Sequence, residues 1–463
     1  MEQTTPKPLK LNYKRTFIIG LCFFTILLLW QVYNSQCPIM LNYLLRDKFG
    51  GSESKYDYIV GVIMALDNLV AIFMIPLTGY LSDKTKTKLG KRMPYIIAGT
   101  ILSVIVFPFI AISFIFDSLV GLIVSMCCVL IFMYLYRGPA VSLMPDITPK
   151  PLRSTANGII NFVGYIGAIM GGALYFIKAF KIPDYNNGNY KDVMNRFDIV
   201  LPFILVSILM IVALIILVLT IKENKLLEET KDEMRRGEEL SSTADKVEED
   251  KPMTRKNKKD LILILVAVLL WFMAFNAVET FWSIYCTQTI GNAKSNYTLP
   301  TTLLVITSLI TFLPGSMLSN KIGRKYTISL GLICCLICMI VMCFIHEPNS
   351  YDKYKYLIFG MFVLAGIGWA LINVASYPMV VELSPNSKIG KFTGYYYTAS
   401  MFAQTVTPMA IGAIMSFTDF GRKSLFPYST ILFAFALIVF MFITNVKPKS
   451  ENNKKGFEAL DND

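Results

Sequence analysis

The amino-acid sequence predicts an all-α membrane protein with twelve transmembrane helices in two pseudo-symmetric six-helix bundles. Three observations lead to this prediction: long apolar runs nearly free of charge, one long polar segment near mid-chain, and a repeat between the two halves. Of the 463 residues, 54% are hydrophobic and 16% are charged, whereas a soluble domain has about 25% charged residues. The polar sequence needed to surround so many apolar runs in a soluble protein is missing.

Each apolar run is long enough to cross a bilayer core of about 30 Å at about 1.5 Å per residue. The first run follows a basic stretch but is too long for a signal peptide, so we expect it to be retained. The predicted spans are 16–37, 57–82, 93–115, 118–145, 154–178, 198–221, 260–288, 299–319, 326–346, 354–381, 389–416 and 426–446.

The polar segment 222–259 divides six spans from six. Its mixed charges and few apolar residues predict a solvated linker, partly helical, between a first bundle at 1–221 and a second at 260–446. Residues 447–463 form a polar tail. The predicted organisation is therefore bundle, linker, bundle and tail.

The distribution of positive charge predicts the orientation in the membrane. Of the 44 Lys and Arg residues, 31 lie on the side that holds both termini, 12 lie on the other side, and Arg137 lies within a span. Basic loops stay in the cytoplasm, so we expect both termini there, in a plasma or inner membrane surrounded by lipid. This topology also explains the net charge of +12 without a nucleic-acid partner.

The two halves share short motifs at equivalent positions. Asp146-Ile-Thr-Pro149 follows the fourth span, and Glu382-Leu-Ser-Pro385 follows the tenth, 236 residues later. Gly158 and Gly394, early in the fifth and eleventh spans, are also 236 residues apart. A third pair differs by 237 residues: Ser82-Asp83-Lys84 and Ser319-Asn320-Lys321. Paired halves with a site between them are typical of alternating-access transporters.

The loop after the second span resembles the G-x-x-x-D-(R/K)-x-G-(R/K)-(R/K) signature of the major facilitator superfamily. It reads Gly79-Tyr-Leu-Ser-Asp-Lys-Thr-Lys-Thr-Lys-Leu-Gly-Lys-Arg-Met-Pro94. The extra residues before its second glycine resemble glycoside-pentoside-hexuronide:cation symporters and sucrose:proton symporters. The segment Gly138-Pro-Ala-Val-Ser-Leu-Met-Pro-Asp146 is similar to the fourth-span exit of sucrose carriers.

The resemblance implies that this loop latches the two halves in the outward-open state. Glycine there lets helices approach closely, and Asp83 can face a helix N-terminus, where the dipole favours an anion. Asn320 replaces the acid in the second half, so that latch should be weaker. The expected gating residues are Gly79, Asp83, Arg92, Asn320 and Arg324.

Three ionisable side chains fall inside predicted spans: Asp67, Glu279 and Arg137. Such groups are costly in lipid and mark functional sites by default, so we expect them to couple transport to protons; a static ion pair between helices is the alternative. Melibiose-type permeases carry two sodium-binding acids where this chain has Ala71 and Ile75, which favours protons over sodium. Sucrose carriers have an arginine at the position of Val141, and Arg137, one turn earlier, is expected to substitute for it.

The seventh span carries the clearest candidate substrate site. Asn276, Glu279, Thr280 and Ser283 recur every three or four residues and form a polar stripe flanked by aromatic rings that include Trp282. Sugars suit such a mixture, because hydroxyls bind amides and carboxylates while C–H faces stack on rings. The expected substrate-binding residues are Gln31, Asn34, Asn68, Asn161, Asn276, Trp282, Asn373 and Gln404, each of which could instead join helices.

These features favour a monomeric secondary transporter that imports a disaccharide or glycoside, such as sucrose or an α-glucoside, with protons. An exporter or importer of another small solute and a non-transporting sugar receptor remain open. A channel needs a continuous polar lining, and an enzyme needs a catalytic set, neither of which is evident. We expect no cofactor and no metal, because Cys334, Cys335 and Cys338 have metal-like spacing but no His or carboxylate nearby.

Overall fold

A computed structural model of the chain describes residues 9–50, 54–174, 196–247, 255–291, 296–384 and 389–444. Within these ranges all the regular structure is helical. The twelve long membrane helices are α1 (Tyr13–Phe49), α2 (Asp57–Lys84), α3 (Met93–Ile115), α4 (Leu119–Asp146), α5 (Arg153–Ala173), α6 (Arg196–Thr220), α7 (Arg255–Gln288), α8 (Thr298–Ile322), α9 (Arg324–Cys343), α10 (Tyr351–Leu383), α11 (Ile389–Phe417) and α12 (Leu425–Met441).

Eleven helices in the described ranges are long and apolar enough to cross a membrane. The remaining long helix, α11, has 29 residues, which also suffices for a bilayer core of about 30 Å. It is less apolar because it carries a run of three tyrosines, Tyr395–Tyr397, and polar residues such as Gln404. The predicted twelve-helix fold is confirmed, and α11 is its most polar span.

Predicted and observed helix bounds differ mainly at the ends. The third span was predicted at 93–115 and is found there, whereas α1 continues past 37 to Phe49. The first part of this extension is buried, and Asn42 and Arg46 bond to side chains of α2 and α7. Residues 175–178 and 445–446 of two predicted spans, the stretch 248–254 of the linker and the tail 447–463 lie outside the described residues.

The packing of the two halves has the symmetry that the repeat predicts. In the first half (α1–α6), α1 packs on α5 and α6, α4 packs on α2 and α3, and α3 packs on α6. In the second half (α7–α12), each of these pairs recurs with both helix numbers raised by six. The halves meet mainly where α2 packs on α11, α5 on α8, and α1 on α7. A central space between the bundles follows from this arrangement.

The linker contains a helix, Glu223–Val247, that packs against the first half. Thr230 and Gly237 are buried in this contact, and Gly237 has no room for a side chain beside Pro149. The partly helical linker therefore lies against one bundle. We call the surface that holds this helix and the loop 85–92 the linker face, and the surface at the other ends of the membrane helices the opposite face.

Candidate functional site

A continuous cavity lies between the two halves and has two parts. The central chamber, about 390 Å³, lies toward the opposite face, and the vestibule, about 1010 Å³, reaches the exposed Lys150 and Pro151 at the linker face. Six residues line both parts: Trp30, Asn68, Arg137, Tyr165, Phe272 and Gln404. The cavity therefore opens toward the linker face.

Bonds between the two halves close the cavity at the opposite face. The Gln36 amide donates to the Tyr297 hydroxyl at 2.7 Å, and the Tyr58 N–H donates to Ser416 Oγ at 2.8 Å. Trp282 adds to this seal from the second half, where its indole N–H donates to the Tyr297 carbonyl at 2.7 Å. Within the described residues, the cavity is thus open at the linker face and closed at the opposite face, as in one end state of an alternating-access protein.

Asp67 lies in the wall of the central chamber and is held by two aromatic donors. The Tyr134 hydroxyl donates to Asp67 Oδ1 at 2.6 Å, and the Trp30 indole N–H donates to Oδ2 at 3.1 Å. The carboxyl is 6% exposed. Because these donors come from α4 and α1, the three helices fix the carboxyl in one orientation.

Arg137 reaches Asp67 indirectly. Its Nη1 donates to the Tyr134 hydroxyl at 3.4 Å, and its guanidinium lies 4.2 Å from the centre of the Trp30 ring. Among the described residues, no ion pair within 4.0 Å joins Arg137 to a carboxylate. The alternative of a static ion pair therefore does not describe this arrangement, in which Tyr134 and Trp30 stand between the two charges.

Glu279 faces the same chamber from the second half. Its side chain is exposed although it lies deep between helices, because it borders the cavity. The three other residues of the predicted polar stripe, Asn276, Thr280 and Ser283, also line the chamber. One carboxylate from each half thus borders a single chamber.

All the predicted amides line this cavity. Gln31 and Asn34 line the chamber, whereas Asn161 and Asn373 line the vestibule. The Asn161 and Asn373 side-chain amides donate to main-chain carbonyls of their own helices, at 2.9 and 2.8 Å. Asn68 and Gln404 border both parts and are joined across the halves by a bond of 3.3 Å from Asn68 Nδ2 to the Gln404 carbonyl.

The aromatic residues of the chamber were only partly predicted. Trp282 lines it but is 2% exposed, and its N–H is already used in the seal. Trp30 and Trp369 are more exposed to the cavity, and the Trp369 ring stacks on Phe275 with centroids 3.8 Å apart. Sequence analysis missed Trp30, Tyr134 and Trp369; the one usable signal was the position of Trp30 directly before Gln31.

The predicted gating residues form an arginine network in each half. In the first half, the Arg92 guanidinium donates to Asp146 at 2.9 Å and to Ser82 at 2.5 Å, and it pairs with Asp83. In the second half, the Arg324 guanidinium makes the corresponding bonds: it donates to Glu382 at 3.0 Å, to Ser319 at 2.9 Å and to Asn320 at 3.1 Å. The sequence repeat is therefore also a repeat of side-chain bonds.

The roles expected of Gly79 and Asp83 concern the outward-open state and stay predictions; in the present state, open at the linker face, the gating loop makes other contacts. A side chain at Gly79 would meet nothing within 4 Å, whereas a Cβ at Gly138 would lie 2.6 Å from Thr78 Oγ1. Gly138 therefore provides the close approach of α2 and α4, and Gly79 faces space that is open in this state. Asp83 does not cap a helix here: Glu223 accepts bonds from the N–H groups of residues 91–93, at the start of α3.

A family model described as MFS/sugar transport protein matches residues 22–444. No curated protein matches the sequence. A D-xylose–proton symporter shares the fold with a TM-score of 0.66 at 16% identity, over 93% of this chain and 97% of that one. The xylose transporter XylE from E. coli, partially occluded and inward-open, gives 0.63 at 15% identity, over 95% and 100%.

A POT-family transporter bound to a thioalcohol-conjugated peptide also gives a TM-score of 0.63, at 14% identity, over 92% of this chain and 95% of that one. At such identities, the solved structures show the fold but not the substrate. The family model, in contrast, spans all twelve membrane helices, from within α1 to beyond the end of α12. This chain belongs to the MFS/sugar transport protein family.

Proposed function

We propose that this protein is a proton-coupled symporter that imports a disaccharide or another glycoside by alternating access. The observation that carries the proposal is the pair of carboxylates, Asp67 and Glu279, that border one chamber from opposite halves. The family and the fold are those of membrane transporters. A D-xylose–proton symporter among the proteins of this fold supports a sugar and protons as the transported pair.

The chamber has the chemistry that a sugar requires. Amides from the first half, Gln31, Asn34 and Asn68, offer donors and acceptors to hydroxyl groups. The rings of Trp30 and Trp369 offer flat apolar faces to the C–H side of a pyranose. A chamber of about 390 Å³ falls within the range of about 300–1,000 Å³ typical of small-molecule sites.

Proton coupling follows from the position of the carboxylates. A carboxylate holds a proton more readily when its surroundings are dry, and releases it when water or a positive group approaches. Rocking of the two halves changes the hydration of Glu279, because this residue borders the space that opens and closes. Asp67 keeps its donors Tyr134 and Trp30 within the first half. We therefore assign the transported proton to Glu279 and an orienting role to Asp67.

The charge distribution favours a cytoplasmic position for the linker face, which supports assigning the structure to the inward-open state. In this state the substrate would leave through the vestibule, past Asn161 and Asn373. The arginine networks at this face would rearrange when the vestibule closes. We propose that Asp83 then becomes the partner of the second half, because it is the most exposed member of its network, with 58% of its side chain accessible.

Replacement of Glu279 tests the proposal. In right-side-out vesicles given a panel of labelled sugars, we expect wild type to accumulate one of them under an inward pH gradient, and a protonophore to abolish this. Glu279→Gln should lose accumulation but retain sugar exchange, because the amide keeps the shape of the site without the exchangeable proton. Glu347→Gln, at an exposed acid outside the cavity, is the matched control and should behave as wild type.

Other outcomes would contradict specific parts of the proposal. Normal accumulation by Glu279→Gln would remove Glu279 from proton coupling. If the protein in proteoliposomes binds a sugar but never transports it, the protein is a receptor. Flux of a non-sugar solute alone would keep the fold and the transport class but exclude the sugar.

A further inference from the structure

The opposite face contains a buried ion pair that joins the two halves. Arg422 lies in the short helical turn Gly421–Ser424 before α12, and its guanidinium binds the carboxylate of Asp57, the first residue of α2. Its Nε donates to Asp57 Oδ2 at 2.7 Å, and its Nη2 donates to Oδ1 at 3.0 Å. The side chains are 4% and 0% exposed. This is a bidentate pair away from solvent, between residues 365 positions apart.

Two amides from other helices join this pair. Asn42 of α1 donates to Asp57 Oδ1 at 2.8 Å, and Gln288, the last residue of α7, accepts from Arg422 Nη1 at 2.8 Å. The cluster thus draws Asn42 and Asp57 from the first half, and Gln288 and Arg422 from the second. Every bond from Arg422 to Asp57 crosses the boundary between the halves.

Glycines bring the helices close enough for this pair to form. A Cβ at Gly61 of α2 would lie 2.0 Å from the Pro408 carbonyl oxygen, and one at Gly412 of α11 would lie 2.7 Å from the Asp57 carbonyl oxygen. The two backbones are therefore in direct contact at the opposite face. Any movement that opens the cavity on this side must separate α2 from α11, and with them Asp57 from Arg422.

We propose that the Asp57–Arg422 pair, supported by Asn42 and Gln288, is the latch that holds the opposite face closed and breaks once in each transport cycle. Desolvation offsets much of the attraction of a buried pair, but a buried charge without its partner is strongly destabilising. The latch therefore resists partial opening, whereas full opening lets water reach both charges. The inference rests on alternating access and does not depend on which solute is carried.

Cysteine labelling tests the latch without any substrate. In a background with the nine native cysteines replaced, Thr301→Cys reports access to the chamber and Asn157→Cys reports access to the vestibule. A membrane-impermeant maleimide is applied to right-side-out vesicles for the first and to inside-out vesicles for the second. Asp57→Asn and Arg422→Gln are each combined with each reporter. Either variant should raise the rate of maleimide labelling at position 301 several-fold and lower the rate at position 157.

Matched controls and a charge exchange make the result specific. Asp419→Asn and Lys423→Gln alter exposed charges close to the cluster and should label like the background. The exchange Asp57→Arg with Arg422→Asp should restore slow labelling at Thr301→Cys, since the pair can form again. Unchanged labelling rates in both single variants would overturn the proposed latch. Faster labelling at both reporter sites would also overturn it, because it would show that the pair only stabilises the fold.

Discussion

The two arginine networks at the linker face share a plan but differ in what surrounds them. Arg92 and Arg324 are both buried. Arg92 directly precedes α3 and pairs with Asp146 at the end of α4. Arg324 begins α9 and pairs with Glu382 near the end of α10. In the first half, the network also includes Asp83, whose side chain is 58% exposed. In the second half, the corresponding position is the neutral Asn320. The first network thus has a largely exposed acidic member at this position, and the second has a neutral amide.

The start of the following helix differs as well. The N–H groups at the start of α3 donate to Glu223, a fully buried carboxylate of the linker, and Gly90 leaves room for it, with a φ of 114° that favours glycine. In the described chain no side chain caps α9 at Gly323. The comparison indicates that the repeat conserves a structural bond in both halves, while the first half adds attachment of the linker.

The largest effect is expected from breaking the second network. Arg324→Gln removes the guanidinium that pairs with Glu382, and breaking a buried pair in this way costs about 3–5 kcal/mol. We expect a large fall in melting temperature in detergent. The double variant Arg324→Leu with Glu382→Leu should recover most of the loss, because it removes both charges of the pair. Lys321→Gln, at an exposed position in the last turn of α8, is the control. An unchanged melting temperature for Arg324→Gln would contradict the structural role of this pair.

A smaller effect is expected from removing the linker carboxylate. Glu223→Ala deprives α3 of its cap, and loss of a capping side chain costs about 0.5–2 kcal/mol. We expect a lower melting temperature and faster proteolysis of the linker, with Glu228→Ala, exposed on the same helix, as the control. Equal proteolysis of the two variants would show that Glu223 does not attach the linker.

The smallest effect on stability is expected at Asp83. An exposed ion pair contributes about 0–1 kcal/mol, so Asp83→Asn should leave the melting temperature nearly unchanged. If Asp83 exchanges partners as the vestibule closes, uptake should nevertheless fall, whereas Asn320→Asp should affect uptake less. Normal uptake by Asp83→Asn would limit this acid to a static role and make the two networks functionally alike.

Sequence patterns predicted the helices and the intramembrane charges well, for identifiable reasons. Asp67 and Glu279 stand out because charges are rare in apolar runs, and both border the cavity. Tyr134 and Trp30 could not be distinguished from packing aromatics, since only the fold shows that they donate to Asp67. Asp57 and Arg422 lie at span ends, where charges are ordinary, and 365 residues separate them. The roles assigned to all these residues stay predictions.

The chamber also gives the protein an intrinsic optical probe. The chain has four tryptophans; Trp30, Trp282 and Trp369 line the chamber, and the fourth, Trp271, is buried against Phe440. A solute that binds against the Trp30 ring would disturb both the bond from the Trp30 N–H to Asp67 and the contact of this ring with Arg137. Native fluorescence should therefore register occupancy in unlabelled protein, with Trp271 contributing a constant background.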